Sequence, residues 1–420
     1  MKATKSLDLF QQILQPHVVE SLAREVAFGR RRRALTPARI FWAMILFFGS
    51  EPRRTLTGIT RFVGAISRVH VSRQALHQRL DSAPAVAFMQ RCFEHLLERS
   101  SRMAFEVLPA GLASFRDLCL IDSTTLKLAE RLDRYFPACR VNVRKAALKI
   151  HACMSLATRD LQRIRITGER VSDSKRTHVG RWIRDRLLLF DLGYFDYGLF
   201  RQITRFGEHF VSRLKKYANG TIVAVRGGCT RRMVGKQLNG HSFTGEVVDL
   251  DVSFGRGRDR ATWRVVGLWN EEGSVYHWYV TSLDAERFGA ALIGQIYRLR
   301  WQIELLFKEW KSICRLKDLT TGKRGIMLCL VYASLCTALL TRMMLRKACQ
   351  ECRQNWHDMS TWQAMLVLTH FTRELGECIL EGKKKRLLEL WSRISTAIGI
   401  HAERSCAHIT KSPCFQGASP

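Results

Sequence analysis

Two short apolar runs, each closed by an aspartate, constrain this chain more than any other feature. Leu118-Cys119-Leu120-Ile121 leads into Asp122, and Leu187-Leu188-Leu189-Phe190 leads into Asp191. Apolar runs of this length without helical periodicity, bounded by turn formers, read as buried strands of a sheet covered on both faces. An acid closing each run belongs at a strand terminus, and adjacent termini would set the two carboxylates side by side. Carboxylates held together at the edge of an apolar sheet repel one another and resist desolvation. Mg²⁺ relieves that cost, since it prefers hard oxygen ligands and keeps positions open for phosphate and water.

The segments around the two runs complete a mixed sheet. Leu148–Thr158 and Leu161–Thr167 read as strands after the first run, so three strands follow in succession. Ser174–Arg186 reads as a helix capped by Ser172 or Asp173, and the second run follows it. Asp196–Arg205 reads as a further helix, before a strand at His209–Leu214. Three strands, helix, strand, helix, strand is the order of an α/β layer with both faces covered. From 219 to 282 the texture is β throughout, with strands at Val247–Phe254, Thr262–Asn270 and His277–Thr281. It reads as an insertion in the α/β unit.

A third acid lies on a stretch that reads as one long helix, Ala285 to about Leu316. Tyr297, Arg300, Glu304 and Lys311 are separated by 3, 4 and 7 residues, which puts them on one helical stripe. Ile296, Leu299, Ile303 and Trp310 form an apolar stripe displaced by about 100°. Glu304 therefore lies at the edge of the buried face. An ordinary ladder of salt bridges, Arg300-Glu304-Lys308, would give the same pattern on a solvated helix. Two more acids ending strands shift the balance toward a site: three carboxylates can hold two ions about 3.5–4 Å apart, the arrangement that supports in-line phosphoryl displacement.

Charge indicates the partner. Sixty-eight Lys and Arg against 37 Asp and Glu give a formal charge of +31 over 420 residues. The basic residues run from Arg24 to Arg404 and are not gathered in a terminal run or one amphipathic helix. This favours a long groove along a nucleic acid over a membrane surface. The longest mainly apolar run, Ile326–Leu340, has 15 residues, short of the ~20 needed to span a bilayer. The opening residues lack the apolar core of a signal peptide. Thirteen scattered cysteines show no disulfide spacing, and Cys349-Gln-Glu-Cys352 with His357 lacks the second pair a zinc site needs. Reduced thiols in a bacterial cytoplasm, on nucleoid DNA, are the expectation.

Residues 1–108 read as helical, with apolar periodicity in Val18–Val26, in Pro37–Phe48 after a Thr36 cap, and in Ala87–Leu97. Leu56–Gly64 and Ser72–Leu80 resemble a helix-turn-helix whose second helix would present Arg73, Gln74, His77, Gln78 and Arg79 to DNA. Basic amphipathic helices also occur with no such role. The stretch from 326 to about 400 reads as helical.

Taken together, Ile121-Asp122-Ser123-Thr124-Thr125, then Asp191-Leu192-Gly193-Tyr194-Phe195, then Tyr297-x2-Arg300-x3-Glu304-x6-Lys311 resemble the three motifs of the "insertion-sequence four" family of transposases, the last being its Y-R-E-K signature. Phe210-Val211-Ser212-Arg213-Leu214-Lys215 resembles the family's strand after the second motif. The resemblance implies a Mg²⁺-dependent DDE transposase (Mn²⁺ substituting), with Asp122, Asp191 and Glu304 as catalytic and metal-binding residues. It implies an α/β, ribonuclease H-like core at 115–218 and 283–318 with a β-rich insertion at 219–282. A helical end-binding domain at 1–108 and a helical region at 325–402 would flank the core. It further implies cut-and-paste movement of the chain's own element, with double-stranded DNA as partner (terminal inverted repeats and target) and a DNA hairpin and flipped base at the element's end. Two ends call for a homodimer or larger assembly.

Tyr297, Arg300 and Lys311 would then contact phosphates beside the cut, and Trp278 would stack on the flipped base, although a half-buried strand tryptophan is the plainer account of Trp278. Arg213, Lys215, Arg73 and Arg79 are further DNA contacts, and Lys127, Arg140, Arg144 and Lys145 are phosphate contacts or a solvated basic face. Asp117, preceding its strand, Asp173, as a cap, and Asp196, starting a helix, read as structural acids. A two-metal site needs neither His151 nor His178 as a base.

Overall fold

The computed structural model describes residues 15–403, except 30–33, 51–54, 102–107, 109, 140–141, 143, 174–178, 230, 258–259, 313–315 and 317–318. Arg140 and His178 lie outside the described residues. The chain opens with helices α1 (Pro16–Glu25), α2 (Pro37–Ser50), α3 (Leu56–Ser67), α4 (Arg73–Leu80) and α5 (Ala83–Ser100). Strands β1 (Asp117–Lys127), β2 (Ala147–Ser155), β3 (Asp160–Gly168) and β4 (Arg186–Phe190) follow, then α6 (Tyr197–Arg205) and β5 (His209–Arg213). Next come β6 (Thr221–Gly227), β7 (Val247–Phe254), β8 (Ala261–Asn270) and β9 (Val275–Thr281). The last helices are α7 (Ala290–Arg298), α8 (Trp301–Ser312), α9 (Arg324–Cys352), α10 (Thr361–Thr369), α11 (Thr372–Leu380) and α12 (Lys384–His401).

The described residues divide into two compact units, one gathering those up to Ser101, Thr125–Leu148 and those from Leu306 onward, the other Leu108–Thr124 and Lys149–Leu305. In the first, α9 is the central helix, packed by α5, α12 and α2. It extends the 15-residue apolar run to 29 residues, and its most apolar 18-residue window is 94% buried, the burial of a core helix. Local chemistry starts the shorter helices: Thr36 accepts from the Arg39 amide, Thr55 from Gly58, Ser72 from Ala75 and Ser82 from Ala85. Arg68 takes φ 55° to turn the chain between α3 and α4.

The sheet carries the second unit. Its strand order is β3-β2-β1-β4-β5-β9-β8-β7-β6. Leu156 N–H donates to Leu118 C=O and Leu128 N–H to Ala146 C=O, so residue numbers fall on β2 as they rise on β1 and the two strands are antiparallel. Four residues join β2 to the neighbouring β3, too few for a parallel crossover. β4 runs parallel to β1 from Asp117↔Arg186 to Ile121↔Phe190, and β5 runs parallel to β4. An order of 3-2-1-4-5 with this pattern of directions is that of a ribonuclease H-like sheet. The β insertion continues the same sheet: β9 pairs antiparallel with β5 through Val211↔Thr281, Ser212↔Val280 and Arg213↔Tyr279.

Burial explains why the runs are apolar throughout. Leu187, Leu188, Leu189 and Phe190 all have no exposure, as do Leu118, Cys119 and Leu120. α6, started by Asp196 accepting from the Leu199 amide at 2.9 Å, lays Phe200 on Phe210 of β5 with ring centroids 4.2 Å apart. Trp263 of β8 meets both rings edge-on. The core thus runs from the β1–β4 strands into the insertion.

Three expectations change. The long helix is two, α7 and α8, because the amides of Leu299, Arg300, Gln302 and Ile303 each bond to the carbonyl three residues back. These tightened turns arise without glycine or proline, so no breaker signal marks them. Of the expected helix Ser174–Arg186, the described part is a single 3₁₀ turn at Arg181–Ile183 and the start of β4. β1 continues for five residues beyond Asp122, which therefore lies in mid-strand, and Asp117 is the first residue of β1 instead of preceding it.

Candidate active site

Asp122 and Asp191 meet because β1 and β4 are parallel and in register up to Ile121↔Phe190. Each acid is the next residue on its strand line, and neighbouring strands lie about 4.7–4.9 Å apart. Opposed residues of a parallel pair project to the same face, so the carboxylates share one side of the sheet. β1 runs on through Asp122, whereas β4 stops and Asp191 opens the 3₁₀ turn Leu192–Tyr194. That difference sets exposure: the Asp122 side chain is 16% exposed and the Asp191 side chain 39%.

The third acid arrives from α8. The tightened turns at Leu299–Arg300 leave Ile296 and Ile303 fully buried, and Tyr297, Arg300 and Glu304 turn together toward the aspartates. Tyr297 Oη donates to Asp191 Oδ1 at 3.3 Å. Arg300 Nη1 donates to Asp122 Oδ2 at 3.0 Å, Arg300 Nη2 donates to Glu304 Oε1, and Arg300 Nε lies 4.0 Å from Asp191 Oδ1. One guanidinium therefore stands among all three carboxylates. Its Nε is buried and has no hydrogen-bond partner.

The electrostatics follow from burial and like charge. Desolvation, with Asp191 and Glu304 nearby, lifts Asp122 to about 7, against the opposing pull of the Ser123 amide and Arg300. Burial raises the Tyr297 hydroxyl far above its usual range, so it remains a donor to Asp191. A single arginine leaves the three acids short of positive charge. Hard oxygens under that strain suit a divalent cation. As they stand around Arg300, no three His, Cys, Asp or Glu side chains among the described residues are arranged on one ion, so occupancy would require the guanidinium to yield.

The remaining candidates are placed variously. Arg213, ending β5, is half-buried, and its charge acts on Tyr297, Tyr279 and His277. Lys215 donates to the Phe195 carbonyl at 3.3 Å and lies over the Phe195 ring, just past Asp191. Trp278 is half-buried, its ring across Gly267 of the paired strand and against Phe243 and Tyr276. Lys311 is half-buried in the last turn of α8. Arg73 and Gln78 are exposed on α4, but Arg79 turns inward, donating to the Leu35 carbonyl and lying over Phe28, because α4 packs that side of itself within the helical unit. Lys127 is exposed, Arg144 is half-buried, and Lys145 pairs with Glu130 at 3.1 Å.

Sequence reasoning missed two features. Asp173, expected as a helix cap for a segment outside the described residues, also accepts from Ser123 Oγ at 2.8 Å and lies 3.3 Å from both Lys149 Nζ and His151 Nδ1. Lys149 and His151 stand two apart on the mainly apolar β2, and that period-two spacing was the signal that they share a face. Trp301, between Arg300 and Glu304 in sequence, is 52% exposed, unusual for an indole.

Comparison with known proteins gives the family. The family described as "Transposase DDE domain" matches residues 113–340, more than half of the chain, and all three acids lie inside the match. The chain is similar to the transposase for insertion sequence element IS1151 of Clostridium perfringens, 22% identical over 367 residues, covering 77% of this chain and 76% of that one. It is likewise 24% identical over 364 residues to the transposase for insertion sequence element IS231C of Bacillus thuringiensis subsp. berliner, with the same 77% and 76% coverage. Among solved structures, the piggyBac transposase synaptic complex with hairpin DNA aligns over 94% of this chain and 85% of that one at TM-score 0.49 and 9% identity. The chain belongs to the DDE transposase family of insertion-sequence enzymes.

Proposed function

We propose that the enzyme cleaves DNA at the ends of its own insertion sequence and joins the released 3′-hydroxyl ends to target DNA, using Asp122, Asp191 and Glu304 to hold divalent metal. The observation that carries this reading is the convergence of the three carboxylates on Arg300. Bound Mg²⁺, or Mn²⁺ in its place, would supply nucleophile activation and stabilisation of the leaving oxygen in an in-line displacement. The chain's own groups do the rest. Asp122 must give up its proton before it can serve, and its value of about 7 keeps that transition near neutral pH. Tyr297 holds Asp191 from one side. Arg300, once drawn from the acids, becomes a cation at the phosphate that faces them.

DNA approach is supported by charge beyond the acids. Arg213 lies within electrostatic reach of Tyr297, and Lys215 is anchored beside the Asp191 turn, so both are candidate phosphate contacts. Lys311 and Arg73 remain candidates by position. Trp301 is better exposed than Trp278 for stacking on an unpaired base, and we assign it that role ahead of Trp278. Cut-and-paste movement, a hairpin at the element's end, and a homodimer or larger assembly pairing two ends belong to the same reading.

The test uses purified full-length protein with linear donor ends and a supercoiled target. Asp191→Ala should abolish Mg²⁺-dependent cleavage and leave end binding in EDTA nearly intact. Cleavage surviving that change would refute the site, and cleavage without joined products would favour a nuclease that lacks strand transfer.

A further inference from the structure

Behind the three acids lies a second polar cluster that the phosphoryl-transfer reading leaves unused. Asp173 accepts from Ser123 Oγ at 2.8 Å, and Lys149 Nζ bonds both Asp173 and the Val171 carbonyl, the latter at 3.1 Å. His151 Nδ1 lies 3.3 Å from Asp173 and 3.2 Å from Tyr194 Oη, while Nε2 lies 2.9 Å from Thr167 Oγ1. Thr167 gives its own proton to the Gly168 carbonyl, so Nε2 is the donor toward Thr167. Every partner is buried or nearly so: the side chains of His151, Lys149 and Asp173 are 9%, 12% and 18% exposed. Buried polar groups in such a chain are costly unless mutually satisfied, and satisfied networks fix geometry.

What this network grips is specific. Ser123 follows Asp122 directly, and its amide also donates to Asp122 Oδ1 at 2.7 Å. Tyr194 closes the 3₁₀ turn that Asp191 opens, with its amide bonded to the Asp191 carbonyl at 3.0 Å. Gly193, inside that turn, has Asp173 Oδ2 only 3.1 Å from where a Cβ would sit. Asp173 thus bonds the segment carrying Asp122 and packs against the turn carrying Asp191, which His151 holds through Tyr194. We infer that Asp173 and His151 are positioning residues that lock Asp122 and Asp191 in the relative placement a divalent cation needs; this rests on the metal reading above.

Removing supports behind metal ligands commonly weakens binding roughly 10–100-fold. Mn²⁺ binding to the full chain, followed by electron paramagnetic resonance without DNA, reads this independently of activity. Ser123→Ala cuts the links to Asp173 and to the Tyr194 hydroxyl and leaves the Lys149–Asp173 pair in place, so it should fold; it should weaken Mn²⁺ about tenfold. Asp173→Ala should weaken it at least as much, because it removes the partner of Lys149 as well as that of Ser123. Asp196→Ala, which removes the α6 cap but touches nothing in the network, should lower Tm and keep Mn²⁺ affinity. Folded Ser123→Ala binding Mn²⁺ within twofold of wild type, or Asp196→Ala weakening it equally, would overturn the positioning role alone. A wild-type chain that binds no Mn²⁺ overturns the metal reading and this role with it.

Discussion

Asp122 and Asp191 each stand one residue past the last paired positions of two parallel strands, Ile121 on β1 and Phe190 on β4. Backbone register, not side-chain adjustment, brings the acids together. Whatever holds β1 against β4 therefore holds the site, and the site repays with repulsion: Asp122 is lifted to about 7 chiefly by burial, with Asp191 and Glu304 adding to the shift.

That repulsion predicts a pH-dependent gain from neutralising Asp122. A carboxyl raised from the ordinary ~3.9 to about 7 in the folded state stabilises the fold fully below ~4 and loses that contribution as pH rises through about 7. Asp122→Asn should therefore be more stable than wild type in EDTA. The advantage should grow between pH 4 and 7 and level off above, at no more than about 4 kcal/mol. Urea unfolding across pH 4–9 measures it; a constant difference over that range would contradict the burial account.

Arg300 carries the opposite expectation. Its side chain is 12% exposed and is the cation among the three acids. Arg300→Gln should destabilise the metal-free chain by roughly 3–5 kcal/mol near pH 8, the usual cost of leaving buried charge uncompensated. Added Mg²⁺ should recover part of the loss, since a ligand bound only by the folded state stabilises it. Parallel melts in EDTA and Mg²⁺ decide this, and a loss equal in both would mean Arg300 is not standing in for a cation.

How much of this was legible beforehand differs from element to element. The apolar runs before Asp122 and Asp191 identified β1 and β4, since residues buried on both faces leave no polar alternation. Glu304 was found by spacing, yet the helix carrying it breaks at Leu299–Arg300 through tightened turns that ordinary helix formers do not announce. Ser172-Asp173 has the look of a cap, and only the fold shows that Asp173 also reaches 50 residues back to Ser123. Nor could composition show that Arg79 points inward, since packing of α4, not propensity, decides which basic side chains reach solvent.

Trp301 and Trp278 should separate in two assays. Trp301 is 52% exposed, so Trp301→Ala should leave Tm nearly unchanged and weaken binding to end DNA containing an unpaired base by about 5–150-fold, the range for losing one stacked base at ~1–3 kcal/mol. Trp278 lies over Gly267 and against Phe243 and Tyr276, so Trp278→Ala should lower stability by about 2–4 kcal/mol. Thermal melts and fluorescence-anisotropy titrations at fixed salt would show the pattern; the reverse ordering in DNA affinity would return the stacking role to Trp278.

A buried pair in the insertion also reaches the segment that leads into α7. Arg264 of β8, 5% exposed, gives Nε to Asp249 Oδ1 at 2.9 Å and Nη2 to Oδ2 at 2.6 Å across the β7–β8 pairing. Its Nη1 donates to the carbonyls of Asp284 at 3.1 Å and Phe288 at 2.5 Å, the segment that leads into α7 and on to Tyr297. Arg264→Met leaves Asp249 buried without its partner and should cost about 3–5 kcal/mol, whereas Arg264→Met with Asp249→Leu removes both charges and should recover much of it. Either variant takes the Arg264 donor from the Phe288 carbonyl and leaves Asp284 only the Phe288 amide, so recovery should stop short of wild type. Because the same arginine fixes the approach of α7, the double variant should also cleave more slowly at saturating Mg²⁺ while binding end DNA normally. Stability restored together with a full cleavage rate would show that the arginine supports the sheet alone.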